Sequence, residues 1–205
     1  MTLDQFRPHV KDWFNPFVAV SIRLGLTPNA FTIASFLAAI AAGVFFYLNM
    51  IVAALVMVGA NAVFDAMDGA LARAMKIEGP KGDFLDHVVD RYADIFIITG
   101  IIGGGNAGWL IGIFALTGVL MSSYLGTQAQ AVGVGRYYGG LLGRADRLLL
   151  IMVAGVLTLV FPDGAFGLPV LGWLLLIFGV LGHFTAIQRF VYTWRKMGTD
   201  QETKK

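Results

Sequence analysis

The stretch Asp65-Ala66-Met67-Asp68-Gly69-Ala70-Leu71-Ala72-Arg73 decides how this chain is read, together with Gly82-Asp83-Phe84-Leu85-Asp86-His87-Val88-Val89-Asp90, which follows after eight intervening residues. Asp65 and Asp68 are three apart, and Asp86 and Asp90 are four apart, so on helices each pair projects from one face. Long apolar runs flank the segment, which puts these carboxylates at or inside the edge of a bilayer. Unpaired charge is costly there, and ionisable residues within a membrane mark function by default. Two converging carboxylate pairs form an oxygen-rich cage suited to hard divalent cations such as Mg²⁺ or Mn²⁺. This segment is the candidate active site.

Of the 205 residues, 57% are hydrophobic and only 14% charged, with a mean hydropathy of +0.73. Soluble domains carry about 25% charged residues, so the composition is that of an integral membrane protein. The absence of cysteine excludes disulfides, thiolate metal sites and cysteine nucleophiles. A net charge of +2 is too small to point to nucleic acid. No cleavable signal peptide is expected, because the N-terminus lacks a short basic region before an apolar core.

The expected architecture is all-α and membrane-integral: six transmembrane helices preceded by an N-terminal interfacial amphipathic helix. Residues 1–26 form the interfacial segment, 27–197 the six-span domain and 198–205 a polar tail. In the first segment Phe6, Val10, Trp13, Phe14 and Phe17 recur at three- and four-residue steps, with Asp4, Arg7, Lys11 and Asp12 off that stripe. Such a helix lies in the membrane interface, packs on the bundle, or does both. Thr27-Pro28-Asn29 reads as a helix start, with Thr27 as N-cap. The spans are expected at about 30–50, 51–75, 83–102, 108–130, 141–161 and 168–194.

Alternation of the spans puts the loops near Asn49, Gly103–Ala107 and Pro162–Gly167 on one side, and none contains Lys or Arg. All 15 basic residues fall toward the other side. The positive-inside rule then predicts a multi-pass cell-membrane protein with both termini and the active site cytoplasmic.

Two divalent ions held by the carboxylates would suit displacement at a phosphoryl group. Gly69 removes a side chain where a phosphate-bearing ligand must approach, Gly82 leaves room in the turn, and Arg73 can neutralise phosphate. Asp90, deepest in its helix, can accept a proton from an incoming hydroxyl. The bland reading makes the aspartates salt-bridge partners, but only Arg73 and Arg91 lie close in sequence, too few for four carboxylates.

Asp65, Asp68, Gly69, Ala72, Arg73, Gly82, Asp86 and Asp90 match the signature of the CDP-alcohol phosphotransferase family in every element and spacing. The resemblance covers nearly the whole chain. It implies a divalent-metal-dependent transferase of phospholipid synthesis. An alcohol hydroxyl would attack the β-phosphate of a CDP-activated lipid, CDP-archaeol or CDP-diacylglycerol, with release of CMP. It implies Asp65, Asp68 and Asp86 as metal ligands, with Asp90 contributing to the metal site and acting as general base. Asp68, Gly69, Ala72, Arg73 and Gly82 would shape the CDP pocket. Family members tend to be homodimers, so membrane lipid and a second copy are the expected partners.

For the acceptor, Arg136, Arg144 and Arg147 cluster at the connection between the fourth and fifth spans, on the active-site side. They either read the phosphate of a phosphorylated alcohol or simply set topology. Ser123-Tyr124-Leu125 and Gly143-Arg144-Ala145-Asp146-Arg147-Leu148 resemble the inositol-phosphate-using branch. Phe6-Arg7-Pro8 and Gly25-Leu26-Thr27-Pro28-Asn29 resemble archaeal members. Inositol phosphate is therefore the expected acceptor. The neutral Gly126-Thr127-Gln128 departs from the basic residues of bacterial members and keeps glycerol phosphate or another alcohol as the alternative. His87 and His183 are read as non-ligands, and Asp94 as a weak candidate for a supporting role. The reading from a different class is a divalent-cation transporter, against which the almost wholly apolar outer half of the spans argues.

Overall fold

The computed structural model describes residues 7–135, 140 and 142–202, with side chains for 15–135, 140 and 142–197. Seven helices account for nearly all of it: α1 (Arg7–Arg23), α2 (Pro28–Tyr47), α3 (Ile51–Met75), α4 (Pro80–Gly103), α5 (Trp109–Ala131), α6 (Arg144–Val160) and α7 (Val170–Glu202). No strand occurs among the described residues beyond an isolated bridge between Ala165 and Leu168. α2 begins as expected, with Thr27 accepting from the Ala30 N–H and Pro28 in the first turn. Lys76, with φ +55, turns the chain out of α3, and Gly79-Pro80 starts α4.

Four helices are long and apolar enough to cross a membrane: α2, α3, α5 and α7 over Val170–Met197. α4 and α6 fall outside that group for a physical reason. α4 carries Lys81, Asp83, Asp86, Asp90, Arg91 and Asp94, and α6 has 17 residues with Arg144, Asp146 and Arg147 in its first turns. The expected polar tail from residue 198 is helical as far as Glu202, because extending an established helix costs far less than nucleating one.

α2 is the spine of the site. It packs against both α3 and α4, whose backbones do not pack closely on each other. The first junction is tied by Asn61 Nδ2, which donates to the Ser35 carbonyl at 2.9 Å in a buried contact. The second is a glycine crossing: a Cβ placed on Gly100 would lie 2.6 Å from Gly43 Cα. α5 packs on α7, and α6 bridges from α7 to α3. Buried Phe46, Ile97, Ile101, Leu171, Leu175 and Phe178 join these groups into one core.

α1 is a helix through Pro16, and its described face is divided. Val18 packs with Met67 and Leu71 of α3, whereas Phe17, Val20 and Ile22 are exposed. Phe6 lies outside the described residues, as do the side chains of Val10, Trp13 and Phe14. His183 makes a helix contact. It stacks on Phe114 with ring centroids 4.7 Å apart, and its Nδ1 lies 2.9 Å from the Gly179 carbonyl.

Gly100→Ala should destabilise the protein by about 1–3 kcal/mol through overpacking at the α2–α4 crossing. Thermal unfolding in detergent reads this as a lowered Tm, and an unchanged Tm would remove the crossing from the account.

Candidate active site

α3 and α4 both pack on α2, and their polar ends share one cavity of about 1800 Å³. Asp65, Asp68, Gly69 and Arg73 line it from α3, and Asp86 and Asp90 from α4. Ala72 and Gly82 are not among its lining residues. Gly82 is exposed in the first turn of α4 with nothing within 4 Å of a Cβ. Gly69 does leave room, but for its own helix: a Cβ there would meet the Arg73 guanidinium at 3.2 Å.

Three of the expected metal ligands converge. One carboxylate oxygen each from Asp65, Asp68 and Asp86 lies within 4.8 Å of the others. An all-oxygen, anionic donor set of this size fits a hard divalent cation. Asp68 is buried, and its Oδ2 accepts a 2.8 Å hydrogen bond from Thr32 Oγ1 of α2. Thr32 thus fixes the rotamer of a central carboxylate, and nothing in its sequence setting distinguished it from other threonines.

Asp90 stands outside this trio. Its Oδ1 is 2.6 Å from Arg144 Nη1, an ion pair without the alignment of a hydrogen bond. The same Arg144 nitrogen bonds Asp65 Oδ1, so one guanidinium of α6 bridges α3 and α4. Arg147, one turn further along α6, is buried and donates from Nη2 to Asp94 Oδ2 at 2.7 Å. Arg91 Nη2 lies 3.5 Å from Asp90 and 3.8 Å from Asp94. Counting sequence neighbours therefore underestimated the cations available, because Arg144 and Arg147 arrive from more than fifty residues away. The start of α6 is held by Asp146, whose Oδ2 accepts from the Gly143 N–H at 3.0 Å.

Arg144 and Arg147 both line the cavity, and Arg136 lies outside the described residues. Ser123 and Tyr124 line it from α5, and Arg189 from α7. Arg189 donates from Nη1 to the Ser122 carbonyl. Sequence reading passed over Arg189, although a charged residue near the end of an apolar run was a usable signal. His87 also lines the cavity, with Nδ1 3.8 Å from both Asp83 and Asp86, and it is not part of the carboxylate trio.

Comparison with known proteins agrees with this geometry. Residues 25–187 match the CDP-alcohol phosphatidyltransferase family. The archaetidylinositol phosphate synthase of Methanothermobacter thermautotrophicus is 32% identical, over 95% of both chains. That of Pyrococcus horikoshii is 34% identical, over 85% of this chain and 93% of its own. The phosphatidylinositol phosphate synthase of Mycobacterium tuberculosis with CDP-DAG bound superposes with a TM-score of 0.75 at 26% identity, covering 87% of this chain and 92% of that one. A second structure of that enzyme, in complex with manganese and citrate, also gives 0.75, covering 87% and 88%. These relatives are synthases, which leaves the cation-transporter alternative without support. On its match and its relatives, the chain belongs to the CDP-alcohol phosphatidyltransferase family, as a divalent-metal-dependent membrane transferase of phospholipid synthesis.

Proposed function

We propose that this protein moves a phosphatidyl-type group from CDP-archaeol or CDP-diacylglycerol to inositol phosphate, releasing CMP. One observation carries the choice of a phosphorylated acceptor. Arg144 Nε and Nη2 and Arg147 Nε are buried without a hydrogen-bond partner among the described residues, in side chains that line the carboxylate cavity. Unsatisfied buried guanidinium donors are costly, and a phosphate group is the ligand whose geometry satisfies them. Both arginines also sit at the N-terminal end of α6, the wrong end for a cation against the helix dipole. Topology alone would not require them to turn inward. The names of the archaeal and mycobacterial relatives point the same way.

In this reading Asp65, Asp68 and Asp86 hold the divalent cations, Mg²⁺ or Mn²⁺ and two in number, with Asp90 close by. A divalent metal held by these carboxylates would supply positive charge against the diphosphate and departing CMP. Arg73, exposed at the cavity edge, and Gly69 flank the cytidine diphosphate; Ala72 and Gly82 shape its approach without lining the cavity. Asp90 accepts the proton of the acceptor hydroxyl as its oxygen bonds to the β-phosphorus and the bond to CMP breaks. Arg144, touching both Asp65 and Asp90, aligns the base with the acceptor.

The membrane arrangement we infer has six crossings, α2 to α7, with α1 lying in the interface. Its support is the run of exposed apolar side chains on α1 and the absence of Lys and Arg from the loops at the end opposite the carboxylates. Residues 1–26 are then the interfacial segment, 27–197 the catalytic domain and 198–205 the polar end. Both termini and the cavity face the cytoplasm, and the working unit is a homodimer.

The test is CMP release from purified protein with a CDP-lipid and inositol phosphate, glycerol phosphate, serine or free inositol. Release is expected with inositol phosphate, to be abolished by EDTA and restored by Mg²⁺ or Mn²⁺. Release with only a different acceptor would reject the proposed substrate. Asp90→Asn should lower kcat by about 10²-fold or more while CDP-lipid binding survives; full activity would sink the base assignment. Arg144→Lys keeps the charge but loses the planar fork, so the KM for inositol phosphate should rise about ten-fold or more, and an unchanged KM would take Arg144 out of the acceptor site.

A further inference from the structure

Asp94 lies outside the eight-position pattern, yet it is the most deeply buried acidic side chain among those of α4. It is 6% exposed. A single oxygen, Oδ2, carries its contacts: Arg147 Nη2 at 2.7 Å and Arg91 Nη2 at 3.8 Å. Arg147 is itself 3% exposed and contributes to the cavity wall. An ion pair this deep is a poor choice as simple glue between α4 and α6, because well-packed apolar side chains would hold the helices at least as well.

The geometry of the pair suggests another role. Arg147 is gripped by one terminal nitrogen only, and its Nε has no partner among the described residues. A guanidinium has five N–H donors in a rigid plane, so fixing one corner fixes the direction of the rest. Without Asp94 the long side chain would have several rotamers open to it, and ordering it on each binding event costs affinity. Asp94 also balances the charge of two arginines, leaving Arg144 to Asp65 and Asp90.

We propose that Asp94 is a positioning residue for the acceptor phosphate: it pins Arg147 from behind so that this arginine is pre-organised for the phosphorylated alcohol. The inference rests on the phosphorylated-acceptor reading above. Asp94 touches neither substrate nor metal in this scheme; it acts through Arg147.

The experiment is a double-mutant cycle on the full-length enzyme: Asp94→Asn, Arg147→Gln and the two combined. Each is assayed for CMP release against inositol phosphate concentration, with CDP-lipid binding measured separately. Asp94→Asn should raise the acceptor KM by about ten-fold or more and leave CDP-lipid binding unchanged, with kcat changed far less than KM. Because Asp94 works through Arg147, the combined variant should match Arg147→Gln alone rather than add to it. The combined variant also covers the case in which Asp94→Asn fails to fold by stranding a buried arginine, since it removes both charges.

Several results would overturn the proposal. Additive KM effects would mean that Asp94 does not act through Arg147. A fall in kcat at constant KM would mean that it acts on Asp90 through Arg91. A parallel loss of CDP-lipid binding and Tm in the combined variant would make the pair structural. If the unmodified enzyme releases CMP normally but KM is insensitive to Asp94, this inference alone fails. If the unmodified enzyme releases none with inositol phosphate, the acceptor reading fails and takes this one with it.

Discussion

The arrangement of the molecule turns on the cost of placing Asp65, Asp68, Asp86 and Asp90 along one cavity at the polar ends of α3 and α4, with Asp94 buried against Arg147 of its wall. Carboxylates crowded into a low-dielectric setting repel one another and lose hydration, so each needs a compensating group. Thr32 supplies a hydroxyl to Asp68 from α2, and α6 delivers Arg144 to Asp65 and Asp90 and Arg147 to Asp94. α2 packs on both α3 and α4, and the carboxylates of those two helices face one cavity. α6 reaches α3 with its arginine-bearing end at that same space.

Such a network contributes little to stability for its cost. Buried ion pairs often do no better than apolar packing, and the molecule has ample apolar packing elsewhere, around Phe46, Ile101 and Phe178. What charge supplies here is a fixed set of donors and acceptors aimed at one volume. The arginines have a double use: they balance aspartates, and some of their N–H groups have no partner among the described residues. A site that must bring a diphosphate-linked lipid to a charged acceptor needs both properties, since repulsion between the two substrates has to be offset before their atoms can meet.

The same demand explains why α4 and α6 are less apolar than their neighbours. α2, α3, α5 and α7 are apolar enough over long stretches to cross a membrane, and α3 tolerates its two aspartates by confining them to one end. α4 carries charge through its first four turns and α6 through its first, which is where their side chains meet the cavity. Close approach is secured by absent side chains: Gly100 on α4 sits against Gly43 on α2. The crossing holds α4 close against the spine.

Much of this was legible in the linear chain. The spacing of Asp65, Asp68, Asp86 and Asp90 announced two helical faces of carboxylate, and the apolar runs on either side announced helices in a membrane, because helical period and hydropathy are local properties. The Thr27-Pro28 start was readable for the same reason, since capping depends on a few neighbouring residues. The pairing of charges was not. That Asp90 leaves the carboxylate trio for Arg144, that Thr32 holds Asp68, that Arg189 joins the cavity and that Asp94 has Arg147 as its partner all depend on which helix packs beside which. Sequence by itself determined the kinds of chemical group and the helices that carry them. Tertiary structure decided which groups meet, because those contacts join residues tens of positions apart and helix packing alone sets their distance.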